Sequence, residues 1–178
     1  MRIENMEIKD VKKIVLSPFF DVRGSFTKFY NEELYREADI EFELKEQYMS
    51  VSNKGVIRGM HFQRPPFECD KLVTVLKGSV LDVVLDLRRS SPTYLQWIDV
   101  VLKEKEPKAL FIPKGCAHGF FAMEDNSCML YNVSTLYKAE YDTGIRWDSF
   151  GYDWKASNPI ISVKDQGLPA LEQFQTPF

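Results

Sequence analysis

Between about Glu43 and Val133 the apolar residues fall in short clusters of Val, Leu, Ile, Phe and Tyr broken by Gly and Pro, a spacing that predicts strands rather than helices. The stretch over residues 80–87 is the clearest. Side chains alternate along a strand, so Leu81, Val83, Leu85 and Leu87 share one face while Val80, Asp82, Val84 and Asp86 share the other. One face is expected to be core and the other a polar-lined cavity or solvent. The same pattern predicts strands over residues 44–52, 71–77, 96–102, 108–112, 119–122 and 127–134, with turns at Lys77-Gly78-Ser79 and Ser90-Ser91-Pro92-Thr93. Many short strands at this spacing point to a β-sandwich or barrel. Helices are minor: Asn31 can cap a segment over residues 32–37, and a second is expected at 169–173, with Pro in its first turn. From about Trp154 onward, Pro159, Gly167, Pro169 and Pro177 mark a looser strap over the barrel.

Length and charge narrow the classes. A chain of 178 residues has room for one ordinary core, and residues 1–178 are read as one domain. Its 23 Lys+Arg against 26 Asp+Glu leave a net charge of −3, with no polycationic face for nucleic acid. No strictly apolar run exceeds four residues, far short of the ~20 that a membrane helix needs, so no membrane partner is expected. The opening Met1-Arg2-Ile3-Glu4-Asn5-Met6 lacks the apolar stretch of a secretory signal, which implies a cytoplasmic location. Three cysteines, Cys69, Cys116 and Cys128, form no close pair and imply no structural disulfide. Only two histidines occur, so a zinc or iron site would have to recruit carboxylates or thiols.

Three stretches could carry chemistry. Gly55-Val56-Ile57-Arg58-Gly59-Met60-His61-Phe62-Gln63 sets Arg58, His61 and Gln63 among apolar neighbours. A guanidinium fork suits a diphosphate, and an imidazole can move a proton near neutral pH; a core histidine with a hydrogen-bond partner is the plainer alternative. Ile112-Pro113-Lys114-Gly115-Cys116-Ala117-His118-Gly119-Phe120 is a tight turn entering a strand, with small residues that permit close backbone approach. There His118 is a metal ligand, an acid, an orienting group, or a turn histidine with a backbone partner, while nothing beside Cys116 marks it as other than an inert thiol. Tyr131 ends the apolar run Cys128-Met129-Leu130, and its phenol matters only if it lies across a cavity from His61.

Taken together, these stretches resemble the dTDP-4-dehydrorhamnose 3,5-epimerases, also called dTDP-4-keto-6-deoxyglucose 3,5-epimerases, of the cupin superfamily. The match runs from about Ser17 to Asp165. Further anchors are Asp21-Val22-Arg23-Gly24-Ser25-Phe26, Lys71-Leu72-Val73, Ser91-Pro92-Thr93 and Gly144-Ile145-Arg146-Trp147-Asp148. The resemblance implies an all-β jelly-roll barrel and a homodimer whose N-terminal strand crosses to the neighbour's sheet. It implies no cofactor. His61 corresponds to the family's base, Asp165 to the aspartate that orients it, and Tyr131 to the acid on the opposite face of the sugar. Lys71 and His118 correspond to groups near the sugar's keto oxygen, and Arg58 and Arg23 to residues that hold the diphosphate. Tyr137 and Phe26 match aromatics lining the pocket, the second reaching in from the partner subunit.

These residue types suit a reaction in which a 4-keto group acidifies the hydrogens at C3 and C5. A base removes one, a cation steadies the enolate oxygen, and an acid returns a proton from the other side. The resemblance implies that this chemistry serves deoxysugar biosynthesis for cell-surface polysaccharide. A metal-dependent cupin is the rival, but its first motif is broken here, since His61-Phe62-Gln63 puts an amide where a ligand belongs. Lys28 stands where the family usually has Glu, and Glu46 and Tyr48 where Gln and Asn are usual, which raises a base other than thymine, CDP first. A C3-only epimerase and a non-catalytic sugar-nucleotide-binding cupin are the remaining alternatives.

Overall fold

Why the 80–87 stretch is apolar on both faces becomes clear once its neighbours are in place. The computed structural model describes residues 1–178. In chain order the strands are β1 (Arg2–Asn5), β2 (Lys12–Val15), β3 (Phe19–Asp21), β4 (Gly24–Phe26), β5 (Glu46–Ser52), β6 (Val56–Gln63) and β7 (Lys71–Lys77). They continue as β8 (Ser79–Asp86), β9 (Trp97–Lys103), β10 (Lys108–Ile112), β11 (Cys116–Ala122), β12 (Ser127–Val133), β13 (Asp142–Gly144) and β14 (Ile160–Ile161). Two short helices, α1 (Glu32–Glu37) and α2 (Val163–Gln166), complete the set. One sheet runs β1-β2-β10-β7-β12-β5 and the other β13-β6-β11-β8-β9, with β14 added parallel to β6. The two sheets face each other as a cupin-type jelly roll.

The inner face of β8 presents Val80, Asp82 and Val84, and both valines pack in the main core with Val73, Val75, Leu110, Phe120 and Met129. Its outer face is not solvent either. Val83, Leu85 and Leu87 lie under Phe150, Tyr152 and Trp154, which cover the second sheet from outside. The chain beyond Trp154 runs along that same sheet, where Arg146 N–H donates to Pro169 O at 2.8 Å and Thr176 Oγ1 donates to Leu87 O at 2.6 Å. The first sheet is covered in turn by α1, whose Tyr35 packs with Ile14, Leu16, Ile40 and Phe111. Asn31 caps α1 as its sequence predicts, its Oδ1 accepting from Leu34 N–H at 3.1 Å.

One other expectation is corrected. Residues 169–173 make only a 3₁₀ turn over Leu171–Gln173, while α2, capped by Ser162, forms just upstream. Strands β1 and β2 pair with each other and with β10 inside the chain, whereas the β3–β4 hairpin joins neither sheet. No helix is long and apolar enough to cross a membrane.

Candidate active site

One extra residue in β6 aims its polar side chains. Across the β6–β11 pair, His61 faces His118 and Arg58 faces Phe120, so three steps on β6 match two on β11. The surplus residue is Gly59, with φ +148°, and a Cβ there would sit 2.6 Å from Gly119 Cα. Strict alternation would place Arg58 and His61 on opposite faces. With the bulge between them both point inward, while Ile57, Met60 and Phe62 pack outward in the second core.

Two adjoining hollows, of about 310 and 210 Å³, share Tyr48, His61 and Lys71 and form one cleft inside the barrel mouth. The smaller is also lined by Ser50, Arg58, His118 and Tyr131. The larger is lined by Glu46, Gln63, Cys69, Tyr137, Asp142 and Lys164. His61 Nε2 lies 2.8 Å from Asp165 Oδ1, a pair that spans 104 positions, because α2 delivers the aspartate against β6. The other Asp165 oxygen accepts the Gly59 N–H at 3.2 Å.

Burial opposes ionisation of Asp165, but the hydrogen bond and charge of His61, with the Gly59 N–H, outweigh it and hold the carboxyl below the ordinary range. A carboxyl depressed in the folded state adds stability above its unfolded pKa, about 3.9, and that stability is lost as pH falls through the folded value. Asp165→Asn is therefore expected to lower the thermal midpoint at pH 7, with the gap to wild type closing below about pH 4. Melting curves across pH 3–7 check this, and a gap that persists unchanged at acid pH would contradict it.

Lys71, at the start of β7, is nearly buried and its Nζ donates to His61 O at 3.0 Å. Tyr131 is 8% exposed, stacks on Tyr48 at 4.8 Å and meets the His118 ring edge at 6.1 Å. Burial drives the Tyr131 phenol far above its usual pKa, so it stays protonated at neutral pH. The same cause pushes Tyr48 up to about 12. His118 is no turn histidine with a backbone partner: it lies within β11, and its Nε2 is 2.8 Å from Asp82 Oδ2 in the barrel interior. Arg58 Nε donates to Ser52 Oγ at 3.0 Å and one fork nitrogen to Val51 O at 3.3 Å, with the guanidinium bordering the cleft.

Glu46 accepts the Tyr137 N–H at 2.8 Å and so fixes the aromatic wall of the larger hollow. Arg23, Phe26 and Lys28 line neither hollow of their own chain: Arg23 pairs with Asp21 on the exposed β3–β4 hairpin, and Lys28 lies exposed beyond it. Gln63 does not offer itself as a ligand. Its amide is spent on Phe67 O, Leu136 O and the Lys138 N–H, and no cluster of three His, Cys, Asp or Glu is placed to hold a metal ion. Cys116 is buried, and that burial raises its thiol to about 12, the inert state its neighbours suggest.

Sequence reasoning missed Ser50, Asp142 and Lys164 as cleft residues, and Asp82 as the buried partner of His118. Asp82 had a signal, being a carboxylate on the inward face of an apolar strand, whereas Asp86 on that same face is taken up by Arg88, Ser91 and Thr93.

A family model described as dTDP-4-dehydrorhamnose 3,5-epimerase matches residues 5–173. The chain belongs to the dTDP-4-dehydrorhamnose 3,5-epimerase family. Among the epimerases of that name, the one from Methanothermobacter thermautotrophicus is 39% identical over 167 residues, covering 90% of each chain. The one from Shigella flexneri is 36% identical over 168 residues, covering 93% of each. A solved epimerase from Legionella pneumophila, in complex with dTDP-4-keto-L-rhamnose, superposes with a TM-score of 0.92 at 32% identity, over 98% of this chain and 94% of that one.

Proposed function

We propose that the cleft inverts C3, C5 or both of a dTDP-linked 4-keto-6-deoxyhexose by proton abstraction, enolate formation and reprotonation from the opposite face, in deoxysugar biosynthesis. One observation carries the reading: an imidazole backed by a carboxylate, an ammonium and a protonated phenol all open onto one cavity. With Nε2–H of His61 donated to Asp165, the remaining ring nitrogen holds the lone pair that takes the proton. Lys71, with His118 beside it, stands at the enolate oxygen, where a charge acts mainly on the transition state. Tyr131 delivers the returning proton from the other face, and its raised pKa means the phenol still carries that proton when the enolate forms. Arg58 takes the diphosphate, and Tyr137 and Tyr48 wall the pocket. Incubation with a 4-keto-6-deoxy sugar nucleotide in D₂O tests this: deuterium is expected at C3 or C5, and tight binding with no uptake would mark a sensor instead.

The names of the relatives support dTDP as the carrier, and Lys28 supports a second reading, CDP, because an ammonium can satisfy the acceptor N3 of cytosine. Competition binding separates them. On the first reading dTDP is expected to bind at least about tenfold tighter than CDP, about 1.4 kcal/mol, whereas equal or tighter CDP binding establishes the second.

The proposal includes a homodimer. On the β3–β4 hairpin Phe20 and Phe26 are 72% and 67% exposed, and β5 is a sheet edge showing Met49 and Val51 to solvent. A partner chain would cover these surfaces and bring the partner subunit's Arg23 and the partner subunit's Phe26 to this cleft. Sedimentation at micromolar concentration is expected to give the mass of two chains, and the mass of one would refute the dimer.

A further inference from the structure

The cleft holds a second histidine–carboxylate pair. His61 and His118 sit in register on neighbouring strands, facing the same cavity, and each has its own aspartate at 2.8 Å. The first pair is reached from outside by α2. The second lies wholly inside, with Asp82 on β8 0% exposed and His118 3% exposed. Asp82 Oδ1 has no hydrogen-bond partner at all, so the His118 bond is the sole polar contact of a fully buried carboxyl. A buried acid left half satisfied in this way demands an explanation beyond packing.

Charge supplies one. Lys71 is nearly buried, and its one hydrogen bond goes to a neutral carbonyl, His61 O. No carboxylate lies within salt-bridge reach of that ammonium, although it borders the cleft. Asp82 is the buried carboxyl that feels this cation: burial raises it above the ordinary carboxylate range, and the charges and hydrogen bond of His118 and Lys71 are what oppose that rise. Accepting Nε2–H from His118 also fixes that ring, whose Nδ1 makes no hydrogen bond within the chain and is left for a ligand.

We infer that Asp82 is a positioning residue for the reaction proposed above: an internal counter-ion that orients His118 and holds its end of the cleft, with Lys71, electrically ready for the oxygen that turns negative. The inference rests on that reading of the cleft. As the enolate forms, its oxygen faces donors already charged and oriented, and no group has to be reoriented during the step. Asp82 touches no reacting atom and acts only through its neighbours.

Asp82→Asn removes the charge at nearly constant shape. Taking away the carboxylate behind a working histidine lowers activity about 10- to 100-fold at metal sites and further in acid–base triads. Turnover of the variant is accordingly expected to fall at least about tenfold, with KM within about twofold. A packing role would instead lower the thermal midpoint and spare kcat in the fraction that remains folded. The decisive measurement is a double-mutant cycle with His118→Asn. If Asp82 works through His118, the double variant is expected to be no slower than His118→Asn alone, whereas multiplying losses overturn the inference.

Should Asp82→Asn fail to fold, the wild-type protein still decides. With only two histidines in the chain, nitrogen NMR resolves both rings, and His118 is expected to show a protonated, slowly exchanging Nε2. An unprotonated Nε2 overturns the inference. If instead wild type takes up no deuterium from D₂O, the epimerase reading fails by itself, whatever the His118 spectrum shows.

Discussion

His61→Gln is expected to abolish epimerisation, by about 10²- to 10⁴-fold in kcat, while the chain still folds. The glutamine amide reaches about as far as the ring's Nε2 and can still donate to Asp165 Oδ1, so the buried carboxylate keeps a partner and the contact between β6 and α2 survives. What disappears is the basic nitrogen. Deuterium uptake from D₂O should fall with epimerisation, because no proton leaves carbon without a base. Steady-state kinetics and mass spectrometry of recovered sugar check both at once. Residual turnover within tenfold of wild type would assign the base elsewhere.

Tyr131→Phe is expected to remove inversion by a similar factor, yet with a different signature. Its ring should keep the stack on Tyr48 and the edge contact with His118, so the cavity retains its shape. His61 can still remove a proton and return a deuteron to the face it came from. The expected product is therefore labelled starting sugar with unchanged configuration, uptake falling much less than inversion. A Tyr131→Phe enzyme that inverts at the wild-type rate would leave the second half of the mechanism without an actor. Substitutions at the two positions thus separate the two faces of the reaction.

Strand pattern carried most of the barrel: β7 and β10 lie where alternation puts them, because each has one face toward the main core. The alternation of β8 predicts a single core face, whereas both faces are packed, because the cover over the outer one comes from residues far along the chain. Short elements escaped. β1, β2 and the β3–β4 hairpin hold three or four residues each, too few for a period to register. The convergence of Arg58 with His61 was legible only as proximity, for strict alternation separates them and the Gly59 bulge undoes it. Asp165 entered through resemblance alone, because a contact across 104 positions leaves no local signature. Asp82 stood in plain view on the inward face, yet its partner lies 36 residues away.

The place of Asp165 in the chain sets the order in which the protein can become competent. Every strand that lines the cleft is complete by Gly144, whereas the carboxylate that steadies the base arrives only with α2. On a ribosome, then, a nascent polypeptide can carry its imidazole, ammonium and phenol well before the imidazole gains its tautomer-fixing partner. On the proposed mechanism, full turnover therefore waits on translation past Asp165, and a message cut short upstream of that codon yields a product without the completed dyad.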